Sequence, residues 1–195
     1  MKRFLTCLSI LTVLIMNASN AAINRLKSTE GFRSTAYADG MSNGVQMHSI
    51  GYGHQIQPSE TNLLTMKIST DTGEALLRSD VAPIENQINS DLRVLPSQNE
   101  FDALFDFGYN CGEGALAKVI STWNTTGDKK AVTDHILMYD KTHVDGQLVV
   151  SSELQRRRKA EVALFNSPLS PSAKSALVSA GAVVGICSLA YAFLR

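Results

Sequence analysis

The sequence predicts an α+β domain that is mostly helical, with a small β-hairpin near its N-terminal end. Three observations point there. A turn-rich run, Glu30 to His54, reads EGFRSTAYADGMSNGVQMHSIGYGH and holds the only clear strand-and-turn chemistry of the first hundred residues. The stretch after it repeats apolar residues at helical spacing, and three further helical blocks follow, broken by Pro, Gly and Ser.

Within the hairpin region, Ile23, Leu26, Lys27 and Thr29 form an amphipathic segment that Glu30 closes, with Gly31 directly after it. Asp39-Gly40 reads as one turn and Asn43-Gly44 as a second of hairpin type. Val45 to Tyr52 has strand composition and ends in the bend Gly51-Tyr52-Gly53. A carboxylic acid at a helix end, facing a second carboxylate on a hairpin, suits glycoside hydrolysis.

These residues also carry a resemblance. Glu30-Gly31-x-Arg33-x3-Tyr37-x-Asp39, followed by Ser49-Ile50-Gly51-x-Gly53-His54, resembles the signature of the phage-type lysozymes, the muramidase family of the T-even coliphage enzyme. Two later blocks extend it in the same order. Tyr109-Asn110-Cys111-Gly112-Glu113-Gly114 is similar to the family's turn between two helices, and Leu154-x2-Arg157-Arg158-x2-Glu161 to its last helix. The sequence departs from the pattern in a long loop between Asp39 and Ser49, and in Ser49 itself, where the family more often has Thr. Serine keeps the hydroxyl.

The resemblance implies a lysozyme-like two-lobe fold: a hairpin lobe, a long connecting helix and a helical C-terminal lobe. It also implies cleavage of the β-1,4 bond between N-acetylmuramic acid and N-acetylglucosamine in peptidoglycan, with bacterial lysis as the result. Glu30 would be the general acid, and Asp39 with Ser49 would orient water or stabilise the oxocarbenium-like transition state. His54 and Asp80 would form a structural pair. Inversion of configuration is likewise implied by the resemblance alone, and no cofactor or metal is called for. Two other readings stay open: a lytic transglycosylase, which needs no second carboxylate, and an idle peptidoglycan-binding module.

The helices can be placed from the residues themselves. Thr70 or Asp71 caps a helix carrying Ala75, Leu76, Leu77, Val81, Ile84 and Ile88. After Leu95-Pro96-Ser97 a second runs from Glu100 to Tyr109, with Phe101, Leu104, Phe105 and Phe107 as its apolar set and most of its aromatics expected in the core rather than a cleft. Cys111 reads as a small buried hydrophobe, and His135 and His143 as surface or satisfied histidines. Arg157 or Arg158 can reach Glu161 at helical spacing, while Arg156 and Lys159 belong to a solvated face.

Composition bounds the rest. The chain has 195 residues, 44% apolar, and 18 basic residues balance 18 acidic ones, so nothing marks it as a nucleic-acid binder. Its cysteines, Cys7, Cys111 and Cys187, give no disulfide framework. Residues 1–22 read as a signal peptide or signal anchor: Lys2 and Arg3, the apolar run Phe4 to Met16, then small residues with Ser19 and Ala21 at a peptidase-type site. The lysozyme-like domain is then expected over 23–166 and a Pro/Ser linker over 167–174. Ser175 to Leu194 is twenty residues without a charge, the length of a membrane-spanning helix. Gly181 and Gly185 in it have the spacing of self-associating helices. The protein is therefore expected on the periplasmic side of the inner membrane, anchored by its tail.

Overall fold

The computed structural model describes residues 15–168, apart from 43 and 145. Its elements run α1 (Asn20–Glu30), β1 (Arg33–Ser42), β2 (Val45–Gly51), β3 (His54–Gln55), a 3₁₀ turn (Thr61–Leu64), α2 (Thr70–Asp91), α3 (Gln98–Cys111), α4 (Glu113–Thr126), α5 (Lys129–Leu137), β4 (Lys141–Val144), β5 (Gln147–Val150) and α6 (Ser152–Phe165). The expected α+β, mostly helical, two-lobe architecture is what these elements build.

The small lobe is an antiparallel sheet in the order β1-β2-β3. Ile50, Ile56, Leu63 and Ile68 fill its core, with Phe32, Ala36 and Leu76 packed against them. The large lobe buries a second cluster built from α1 to α6, including Phe101, Leu104, Phe105, Leu116, Trp123 and Phe165. Phe32 touches both clusters and marks the joint between them. At that joint Gly51 and Gly73 bring the hairpin and the start of α2 nearly into backbone contact. A Cβ on Gly73 would fall 2.7 Å from the Phe32 ring, and one on Gly51 would fall 3.3 Å from the Gly73 Cα. A side chain at either position would push the lobes apart.

α2 is the connecting helix, about 33 Å long at 1.5 Å per residue. Gly73, Leu77, Val81, Ile84 and Ile88 recur every three or four residues and form its buried face. Its cap is Ser69, whose side chain accepts from Thr72 N, rather than Thr70 or Asp71. Ser69 is the last residue with extended backbone (ψ 165°), so only its hydroxyl can fold back on the first turn. α3 starts two residues before Glu100 because Ser97 and Glu100 form a capping box. The buried Glu100 carboxylate also receives Lys129 at the start of α5.

Two features go beyond what the sequence predicts. The boundary between residues 1–22 and a domain over 23–166 falls inside α1. Met16 and Asn89 exchange hydrogen bonds (2.9 and 2.8 Å), Ala18 N donates to Glu85 Oε1 (2.8 Å), and Ser19 N donates to Asp102 Oδ1 (3.0 Å). Ser19 caps α1 at Ala22 N, and Ala18 and Ala22 are buried, so residues 16–22 are packed on the helical lobe. The second is the hairpin β4–β5, whose strand β4 carries His143 exposed, as expected of a surface histidine. The expected membrane-spanning segment 175–194, Gly181 and Gly185 within it, and most of the linker lie outside the described residues. Among the described residues, no helix is long and apolar enough to cross a membrane.

Candidate active site

Glu30 is the last residue of α1, and Gly31 ends the helix with φ 70°. The carboxyl leaves the helix next to the Gly51-Tyr52-Gly53 bend: a Cβ on Gly53 would lie 3.6 Å from Glu30 Oε2. Partial burial against the joint raises its pKa above the ordinary carboxylate value. The nearby negative charges of Asp106 and Asp39 add to the rise, and the Arg157 guanidinium opposes it. The residue as a whole remains exposed, so the carboxyl is desolvated on one side and open on the other. That combination favours a protonated acid that a substrate oxygen can reach.

Asp39 stands opposite on β1. Pairing runs Ala38↔His48 and then Met41↔Gln46, so Asp39 and Gly40 together face the single residue Met47. This is a β-bulge, with Gly40 at φ 77°, and it turns Asp39 out of the regular alternation. Asp39 Oδ2 accepts a 2.6 Å hydrogen bond from Ser49 Oγ. Ser49 is fully buried at its place opposite Tyr37, so the hydroxyl has one orientation to offer. The hydroxyl's donation fixes the direction in which the Asp39 carboxyl faces.

His54 ties this sheet to α2. Its Nδ1 lies 2.8 Å from Asp80 Oδ1, and its Nε2 lies 2.9 Å from Glu60 Oε2. Burial lowers the imidazole pKa, but the two carboxylates outweigh it and the net shift is upward. Glu60 is held below its usual range, first by the Gln57 backbone N–H and then by His54.

The sequence-derived trio Glu30, Asp39 and Ser49 thus converges on the joint, and His54 and Asp80 are in contact just behind it. Five residues around them were not singled out as site residues. Arg157 donates to Asp106 at 3.0 Å, and together they set the charge beside Glu30. Glu60 completes the histidine clasp. Tyr109, at the end of the aromatic helix, packs partly on the core and lines an opening of about 510 Å³ with Asp80, Pro83, Ile84 and Glu113. Burial, then the charges of Glu30 and Asp80, push its phenol up to about 12, so it stays a hydrogen-bond donor. Arg158 is fully buried beneath the site. It donates to Glu161 (2.6 Å) and Asn110 (2.7 Å) and contacts Cys111 Sγ. Cys111 is therefore half-buried beside a guanidinium, its thiol pKa raised by burial. Among the described residues no cluster of His, Cys, Asp and Glu could hold a metal ion.

A helical lobe and a small sheet lobe, with an acid and a Ser-held aspartate at their joint, define a lysozyme-type fold, and known proteins share it. The family model described as Phage lysozyme matches residues 27–161. The endolysin of Salmonella phage P22 is 33% identical over 156 residues, covering 78% of this chain and 100% of that one. The endolysin of Bacillus phage B103 is 34% identical over 154 residues, 77% of this chain, but the match spans only 54% of that protein. Among solved structures, an endolysin from the Escherichia coli O157:H7 phage FAHEc1 superposes with a TM-score of 0.64 at 30% identity, over 80% of this chain and 97% of that one. The muramidase domain of SpmX from Asticaccaulis excentricus gives 0.65 at 29% identity, over 78% and 99%. The chain belongs to the phage lysozyme family.

Proposed function

We propose that the protein is an endolysin that hydrolyses peptidoglycan, cutting the β-1,4 bond between N-acetylmuramic acid and N-acetylglucosamine. The observation that carries this reading is the meeting at one joint of a partly buried carboxyl and a second one held by a hydroxyl. Glu30 is desolvated and pushed towards its protonated form, whereas Asp39 accepts the Ser49 hydroxyl at 2.6 Å. Two carboxyls in contrasting environments are what acid-assisted glycoside cleavage needs.

Glu30 gives its proton to the departing glycosidic oxygen as the C1–O bond breaks. Asp39, oriented by Ser49, faces the developing positive charge on the ring or takes a proton from the water that attacks C1. The products are two sugar ends, one of them reducing, and water supplies the oxygen. Tyr109, a donor at neutral pH, lies where it can bind a sugar hydroxyl.

The decisive measurement is end-group analysis of digested peptidoglycan. New reducing ends support hydrolysis. An anhydro-sugar would replace it with transglycosylation, and no cleavage would leave a binding module.

We further propose that the protein acts from the periplasmic side of the inner membrane. Support comes from composition: a basic and apolar start, and the uncharged run 175–194. Carbonate extraction checks it: a membrane-held full-length chain stays in the pellet, while a chain ending at Ser170 is released. Release of both would remove the anchor.

A further inference from the structure

The hairpin β4–β5 is exposed at every residue of both strands, Leu148 at 59% and Val150 at 54% among them. Half of the large apolar side chains exposed among the described residues fall between Leu137 and Val150. A two-stranded hairpin is marginal by itself in water, and this one carries its apolar groups on one strand. β5 reads Gln-Leu-Val-Val without a charge, whereas β4 holds Lys141 and His143.

The free edge belongs to β5 as well. Among the described residues β5 has β4 on one side and no strand on the other. Ser151 N donates to Asp140 O (2.8 Å), one step beyond the Lys141–Val150 pair. Bonded and unbonded pairs alternate along an antiparallel ladder. Thr142–Val149 is therefore a bonded pair, and His143–Leu148 and Lys141–Val150 are not. The N–H and C=O of Leu148 and Val150 thus point away from β4. On β4 the outward pair is Lys141 and His143, and such side chains blunt an edge. β5 has no such guard.

We propose that β5 is a homodimer edge, pairing antiparallel with β5 of a second copy about a two-fold axis at Val149. That register sets Leu148 of each copy opposite Val150 of the other, so all four outward backbone groups of each strand are bonded. Leu148 and Val150 of both copies then share one face of a four-stranded sheet, and the two Val149 side chains meet on the other. The strand meets its own copy without like charges. A bilayer would cover the same side chains but leave the outward N–H and C=O groups unpaired, which favours a strand as the occupant. Four residues per copy bury well under the roughly 800 Å² per partner of a standard interface, so the dimer is weak and forms at high concentration.

Sedimentation velocity of the full-length protein in mild detergent, over a concentration series, tests the pairing. Wild type should pass from monomer to dimer as concentration rises. Val149→Lys sets two ammonium groups against each other at the axis and should raise the dimer Kd about tenfold or more. Val150→Pro removes only an outward N–H, so circular dichroism should stay unchanged while the dimer is lost. Val149→Cys, mildly oxidised, should give a covalent dimer joined through the introduced thiols, because an unbonded pair brings its Cα atoms to about 4.5 Å. A wild type that stays monomeric throughout overturns the edge, as do dimers that survive both Val149→Lys and Val150→Pro. Hydrogen exchange at the Leu148 and Val150 amides separates the occupants. Protection that grows with protein concentration supports the dimer, and protection only by phosphatidylglycerol vesicles overturns it in favour of lipid.

Discussion

Ser49 donates its hydroxyl hydrogen to Asp39 at 2.6 Å from the strand opposite, across a bulge that exists only on the aspartate's side. The bulge aims the carboxylate and the serine holds it. Asp39→Asn should therefore cripple cleavage, because the amide cannot serve as anion or base. Glu30→Gln keeps size but cannot give a proton, and should lower activity about a hundredfold or more. Ser49→Thr retains the hydroxyl and should be tolerated. Turbidity clearing, with folding checked by circular dichroism, tests all three. A well-folded Glu30→Gln protein that clears cells at the wild-type rate removes the acid assignment.

Arg157 and Asp106 should move the pH profile in opposite directions. In the proposed mechanism Glu30 works protonated, so activity should be present below its folded pKa and be lost as pH rises through it. Arg157 holds that pKa down, so Arg157→Gln should carry the alkaline limb of kcat/KM to higher pH. Asp106 pushes it up, so Asp106→Asn should carry the limb lower. Shifts of the same sign would disconnect the pair from the acid.

The His54 clasp makes stability depend on pH in a defined window. The imidazole pKa is raised in the fold, so its contribution is complete below the unfolded value of about 6.5 and disappears as pH rises through the folded one. Glu60 is depressed, so its share is present above about 4.5 and disappears as pH falls through its folded value. Between those limits both contributions are present. In an NMR titration, Asp80→Asn and Glu60→Gln should each lower the imidazole midpoint, Asp80→Asn more. An unmoved midpoint in both would show that the contacts carry no charge coupling.

Residues 16–21 should be needed for full stability. Starting the chain at Ala22 removes the Ser19 cap and the bonds to Asn89, Glu85 and Asp102. At about 1 kcal/mol each, the loss is roughly 2–4 kcal/mol. Urea denaturation of this chain beside one starting at Ile15 measures it. Equal midpoints would mean that the segment adds nothing to the fold.

Arg158 and Glu161 should fail singly and tolerate joint replacement. Both are buried, at 0% and 1% exposure, so removing one partner strands the other charge. Arg158→Met alone should cost about 3–5 kcal/mol, and Arg158→Met with Glu161→Leu distinctly less. Additive losses in the double-mutant cycle would show that the two do not depend on each other.

The helices were legible because their burial is periodic. Leu77, Val81, Ile84 and Ile88 could be assigned to one face of α2 without knowing what that face touches. The trio at the joint was legible for a different reason: its residues lie within twenty positions, so local turns bring them together. What escaped depends on distant partners. Arg157 and Asp106 are 51 residues apart and meet only through the packing of α6 on α3. Tyr109 belongs to an aromatic helix whose other rings are core, and only the position of α2 opens a space beside it. The hairpin β4–β5 did have a local signal in Asp145-Gly146, a hairpin dipeptide between short runs containing valine. The start of α1 was obscured because small residues serve equally as a peptidase site and as a close-packed helix entry.

The packing of residues 16–22 on the helical lobe sets an order of assembly. The partners that hold this segment lie 67 to 83 residues further along the chain. At about 5–20 residues per second of synthesis, they emerge roughly 3–17 s after the segment itself. Until then residues 16–22 have none of these partners; afterwards they form the capped entry to α1. The N-terminal end of the helical lobe is thus completed only after α3 has been made, and a mutation as distant as Asp102 reaches it.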